Sequence, residues 1–182
     1  MKNILVLTGS VRYHGNSDML ADAFISGAKA AGHNCIKFAA AHHCIHGCSG
    51  CNNCWKKGRA CIHKDDFQEL EPLLECCDTL CLSFPLYWSS MPAPLKAIVE
   101  RFYAYCAPDA ACHMSIRESV LLTCGECEKT SDFTGAVDNF LGIASYMRWT
   151  HRGTILVPGV HRKGAIADRQ ELAMARCLGG SL

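Results

Sequence analysis

Residues 3–17 read NILVLTGSVRYHGNS. Behind Asn3, the four residues Ile4 to Leu7 are apolar without a break, and Gly9-Ser10 then ends the run. A strand with one wet face alternates, whereas an unbroken run marks a parallel strand covered on both faces. Beyond the polar loop, Leu20, Ala23, Phe24, Gly27, Ala28 and Ala31 recur at helical spacing. The spacing predicts a helix over 17–31, with Asn16 or Ser17 as its cap and Gly32 as its stop.

The same unit repeats outward from this stretch. CIKFAA (35–40) is a second strand, followed by a Cys-rich loop over about 42–65. Asp66 and Glu69 open a helix whose stripe is Leu70, Leu73, Leu74 and Cys77; Pro72 predicts that it becomes regular only near that residue. TLCLSF (79–84) is a third strand, and Pro92 and Pro94 precede a helix carrying Leu95, Ile98, Val99 and Phe102. SVLLT (119–123), a helix over 132–148, TILVP (154–158) and a helix over 168–178 ended by Gly179-Gly180 complete the chain. Strands alternating with helices predict a doubly wound α/β sheet of three layers, one domain over 1–182. Strand orders 2-1-3-4-5 and 3-2-1-4-5 both fit the pattern. In either, a ligand belongs at the carboxyl ends of the strands, so the loops after strands one, three and four are expected to carry the chemistry.

Composition narrows the class. The 182 residues are 49% hydrophobic and 19% charged, with a net charge of +1. No basic cluster points to nucleic acid or to an anionic membrane surface. No apolar run is long enough to span a bilayer, and residues 1–8 lack a signal-peptide cleavage site, so a cytoplasmic protein is expected. Fourteen cysteines therefore read as thiols or metal ligands rather than a disulfide scaffold. Cys35, Cys76, Cys77, Cys81, Cys106, Cys112 and Cys177 are expected to be small buried hydrophobes.

The loop TGSVRYHGNS (8–17) lacks both dinucleotide and P-loop signatures. It offers what a phosphate needs: hydroxyls of Ser10 and Ser17, the charge of Arg12, the amide of Asn16, and a following helix N-terminus. The third strand leads into PLYWSSMPAPLK (85–96), where Tyr87 and Trp88 could wall an aromatic ring and Ser89 meet its polar edge. These two motifs, at two correct strand ends, resemble the flavin mononucleotide (FMN) phosphate and ring loops of flavodoxin-like NAD(P)H-dependent reductases. The resemblance covers about residues 3–160 and implies strand order 2-1-3-4-5. It implies ring contacts from Pro85, Leu86, Tyr87, Trp88, Ser89 and Met91, with Thr123, Cys124 and Gly125 closing the other side. Cys124 and Cys127 form a C-x-x-C that could be a redox pair.

CSGCNNCWKKGRAC (48–61) places Cys48, Cys51 and Cys54 at three-residue steps, with Cys61 seven later. Three thiols so close suit a cubane better than zinc, whose structural sites use two separated knuckles. The spacing resembles the cysteine motif of iron–sulfur flavoproteins, which implies a [4Fe–4S] cluster on Cys48, Cys51, Cys54 and Cys61, with Cys44 spare. It fits equally the loops of related reductases without a cluster, so cluster, free thiols and zinc all stay open. His42, His43 and His46 are expected to be solvated, and Asp65 and Asp66 to be helix-start residues.

The function implied is an FMN-dependent oxidoreductase passing electrons from NADH or NADPH to a quinone, nitro or azo compound, metal ion or protein. The alternative is an iron–sulfur flavoprotein electron carrier without nicotinamide turnover; a redox or metal sensor without flavin is a third. The resembling families imply a homodimer or homotetramer.

Overall fold

In a computed structural model of the chain, which describes residues 1–107 and 110–182, β1 (Asn3–Thr8) pairs in parallel with both β2 (Asn34–Ala39) and β3 (Thr79–Pro85). β4 (Glu118–Cys124) and β5 (Thr150–Val157) continue the parallel sheet, giving the order β2-β1-β3-β4-β5. This is the flavodoxin-like order.

The unbroken apolar runs work as two interleaved sets. Ile4 and Val6 face one side with α1 (Asn16–Ala30) and α5 (Gln170–Gly180), through Leu20, Phe24, Ala28 and Ala175. Leu5 and Leu7 face the other side with α2 (Phe67–Cys76), α3 (Ala93–Arg101) and α4 (Thr134–Tyr146), through Leu70, Leu74, Leu95, Ile98 and Phe140. Three layers result because side chains alternate along a strand while both faces are covered.

Three local expectations are corrected. α1 is capped by Gly15 with no side-chain cap, leaving the Asn16 and Ser17 side chains for other partners; Gly32, at φ +87°, ends it as expected. α2 begins at Phe67 and carries Pro72 inside it, because burial of Phe67, Leu70, Glu71 and Leu74 outweighs the one missing N–H. Gly179 and Gly180 are the last two residues of α5 itself, two beyond the expected last turn. A Cβ at Gly179 would come 2.1 Å from the Phe24 carbonyl oxygen, and one at Gly27 would come 1.8 Å from that of Arg176. Those glycines are where α1 and α5 cross.

The scattered cysteines divide by position. Cys77 and Cys81 are buried, Cys35, Cys106 and Cys112 half-buried, and Cys76 and Cys177 exposed, off the apolar stripes of α2 and α5. Among the described residues all fourteen cysteines are free thiols.

Candidate functional site

At the carboxyl ends of the strands a cavity of about 540 Å³ opens between the loops after β1, β3, β4 and β5. Ser10, Arg12, Asn16 and Ser17 line it from the first loop, Pro85, Leu86, Tyr87 and Trp88 from the third-strand loop, and Cys124 and Gly125 from the fourth.

The first loop folds on itself. Ser10 Oγ accepts from the Arg12 amide at 3.0 Å and donates to the Arg12 carbonyl at 3.1 Å. Gly15 is needed there, since a Cβ would stand 3.0 Å from Ser10 Oγ. The Asn16 amide group donates to the Arg162 carbonyl at 2.9 Å. Among the described residues Asn16 Oδ1 and Ser17 Oγ have no hydrogen-bond partner, buried at the N-terminus of α1. Buried polar atoms are almost always satisfied, and this helix end presents its own free N–H groups beside them. A bound phosphate and a hydroxyl-bearing chain would satisfy both, so these residues fit FMN.

The ring loop is a tight turn. Tyr87 and Ser90 exchange amide–carbonyl bonds of 3.0 Å in both directions, with Trp88 at φ +48° and Ser89 at φ +57° between them. That is a hairpin turn of the primed kind, usually built from glycine or asparagine. It puts Trp88, fully exposed, at the cavity mouth. Ser89, Met91 and Thr123 stand off the lining. Ser89 backs onto Gly135, Met91 is buried in the core, and Thr123 is buried along β4 with its hydroxyl unpartnered.

Four further lining residues escaped the sequence reading: Glu126, Val160, His161 and Lys163. Three lie after β5, and the carboxyl-end rule applied to that loop too would have found them. Glu126 and His161 pair at 2.6 Å, and Arg12 donates to the His161 carbonyl at 3.4 Å, so the first loop meets the fifth. Burial, with Cys127 nearby, pushes the Cys124 thiol up to about 12, and burial also raises Cys127. The C-x-x-C is thus held as thiols with little thiolate at neutral pH.

Cys48, Cys51, Cys54 and Cys61 line a second, smaller hollow with His63 and Tyr103. Burial and then the three neighbouring cysteines raise the Cys54 thiol, whereas the Asn53 amide, followed by Ser49, lowers the exposed Cys51. Among the described residues, no three of these thiols lie mutually within 4.8 Å. A zinc ion with Zn–S bonds of about 2.3 Å would need them closer than that. All four thiols line one hollow, on which a cluster's four ligands would have to converge.

The loop is tied down throughout. Asp66 accepts from the Cys44 amide (2.7 Å), Asp65 from that of His46 (3.0 Å), Glu100 from that of Cys48 (3.2 Å) and Glu71 from that of Cys61 (3.0 Å). Asp65 and Asp66 therefore do more than start α2. Arg101, almost wholly buried, binds both oxygens of Asp65 at 3.0 and 3.3 Å, donates to the His46 carbonyl and stacks over Phe67. His42 stacks on Tyr13 and His43 on Phe38, which occupies their rings with packing.

Comparison with known proteins agrees with this geometry. The chain is 32% identical over 105 residues to the iron-sulfur flavoprotein of Archaeoglobus fulgidus, covering 58% of this chain and 47% of that one. It is 29% identical over 101 residues to an iron-sulfur flavoprotein of Methanocaldococcus jannaschii, covering 56% and 50%. The chain thus spans about half the length of these curated relatives. The solved NAD(P)H:quinone oxidoreductase from Methanothermobacter marburgensis shares the fold, with TM-score 0.72, 20% identity and coverage of 99% and 96%. The family model described as NADPH-dependent FMN reductase matches residues 2–114, well over half of the sequence, and the chain belongs to that family.

Proposed function

We propose that the protein is an FMN-dependent oxidoreductase that takes electrons from NADH or NADPH and passes them to a small-molecule or protein acceptor. The observation that carries this reading is the pair of buried, unpartnered oxygens, Asn16 Oδ1 and Ser17 Oγ, at a helix N-terminus that lines the cavity. Ser10, Arg12, Asn16 and Ser17 would hold the phosphate end. Pro85, Leu86, Tyr87 and Trp88 would wall the ring on one side, and Cys124 and Gly125 on the other; Ser89, Met91 and Thr123 would support those walls from behind. FMN, when bound, supplies the hydride and single-electron chemistry. The protein binds it, orients it and shields it from water.

Within the same reading Cys48, Cys51, Cys54 and Cys61 hold a [4Fe–4S] cluster, which would supply single-electron transfer. Their arrangement around one hollow favours this. It also favours a second reading, an electron carrier without nicotinamide turnover. A homodimer or homotetramer belongs to the proposal as well. No helix among the described residues is long and apolar enough to cross a membrane.

The test is a titration of flavin-free protein with FMN and with riboflavin, which lacks the phosphate. FMN should bind at least about a hundredfold tighter, since charge-assisted hydrogen bonds contribute about 1.5–3 kcal/mol each. Equal affinities would sink the phosphate assignment. Adding NADPH without oxygen should then bleach the bound flavin; bleaching by dithionite alone would select the carrier reading.

A further inference from the structure

Cysteine-rich metal loops commonly turn backbone N–H groups toward the sulfurs, which stabilises their negative charge. Such contacts exist here at two of the thiols, from the Gly50 amide to Cys48 Sγ at 3.4 Å and from the Asn53 amide toward Cys51. Two of the four cysteines direct their own amides elsewhere. Cys61 donates to Glu71 of α2, with both residues buried, and Cys48 donates to Glu100 of α3. The approach of Glu100 is built into the chain, because a Cβ at Gly47 would stand 2.6 Å from its Oε2. Lys96, one turn earlier, holds the other carboxylate oxygen at 2.8 Å. The hollow is thus clasped by two helices at its first and last cysteines.

We propose that Glu71 and Glu100 are positioning residues of the four-cysteine hollow. Each fixes the direction of one thiol through its backbone amide and keeps that amide proton away from sulfur. The consequence for electron transfer rests on the cluster reading. Two carboxylates beside the first and last ligands oppose the arrival of an added electron, so a cluster held here would have a low reduction potential. Glu→Gln keeps the shape and an acceptor oxygen while removing the charge; Glu→Ala removes both.

The experiment uses Glu71→Gln, Glu100→Gln and Glu100→Ala beside the unmodified chain. In metal-free protein, amide hydrogen exchange reads the clasp directly. Glu100→Ala should expose the Cys48 amide about tenfold faster or more, and Glu100→Gln should retain part of the protection. After anaerobic loading with iron and sulfide, both Gln variants should keep the iron content and shift the midpoint potential upward. Unchanged exchange in Glu100→Ala, or unchanged potentials in both Gln variants, would overturn the proposal. If the unmodified chain takes up no iron and sulfide, the cluster reading fails, and the exchange result alone decides the positioning role. Glu100 lies on the surface side of α3, so its variants remain informative even if Glu71→Gln unfolds the protein.

Discussion

The Asp65–Arg101 pair is almost wholly covered and therefore costly to break. Asp65 lies deep in the loop base, and Arg101 has no water to fall back on. Removing one member of a buried pair strands the other charge, at about 3–5 kcal/mol. Asp65→Asn should therefore lower stability by that amount in a urea melt at pH 7. Burial alone would raise the Asp65 carboxyl, but the Arg101 hydrogen bonds and the His46 amide together hold it below its usual range. A depressed carboxylate contributes fully above its unfolded value, about 3.9, and loses that contribution as pH falls through the lower folded value. Melts between pH 5 and pH 2 (on the order of the usual acid range) should drop for the parent chain more steeply than for Asp65→Asn. Glu71, raised chiefly by burial, has the opposite sign and favours folding as pH falls. None of this was legible beforehand. Asp65 and Asp66 sit where helix-start residues sit, and no local spacing announces an arginine 36 residues away.

At the scale of elements, the sequence shows runs better than crossings. The three central strands were readable because parallel strands covered on both faces cannot alternate, and the edge strands β2 and β5 from their β-branched and apolar runs between helices. Pro72 misled because proline reads as a stop, whereas packing retains it inside α2; Gly179 and Gly180 do end α5, but as its last two residues, where the crossing requires them. The prediction is a contrast of two glycines. Gly27→Ala should destabilise by at least about 1–3 kcal/mol, because the Arg176 carbonyl stands where the methyl would go. Gly142→Ala in α4 meets nothing within 4 Å and should stabilise by about 0.5–1 kcal/mol. Thermal melts of both variants check the pair, and a shift of the same sign in both would refute the crossing argument.

For the molecule as a whole, the candidate site is a set of loop ends at the carboxyl edge of the sheet, and the residues a motif advertised are among those that line its cavity. The loop after β1 and PLYW advertised themselves by charge, glycine and aromatic content; His161 and Lys163 follow an ordinary edge strand and had no such signal. Since the unpartnered polar atoms are buried in the ligand-free fold, occupancy should stabilise the entire domain layer by layer. FMN at about a hundred times its dissociation constant should raise unfolding free energy by about 2.7 kcal/mol, while an equal concentration of riboflavin should do far less. Denaturant titrations with each ligand measure the difference.

The α1–α5 crossing has a consequence for how the chain is made. The backbone of residues 24–28 is covered by that of residues 176–179, which leave the ribosome about 150 residues later, on the order of ten seconds at about 5–20 residues per second. Until then Leu20, Phe24 and Ala28 have only part of their final cover. During that interval the nascent chain carries an apolar helix face that α5 has not yet covered.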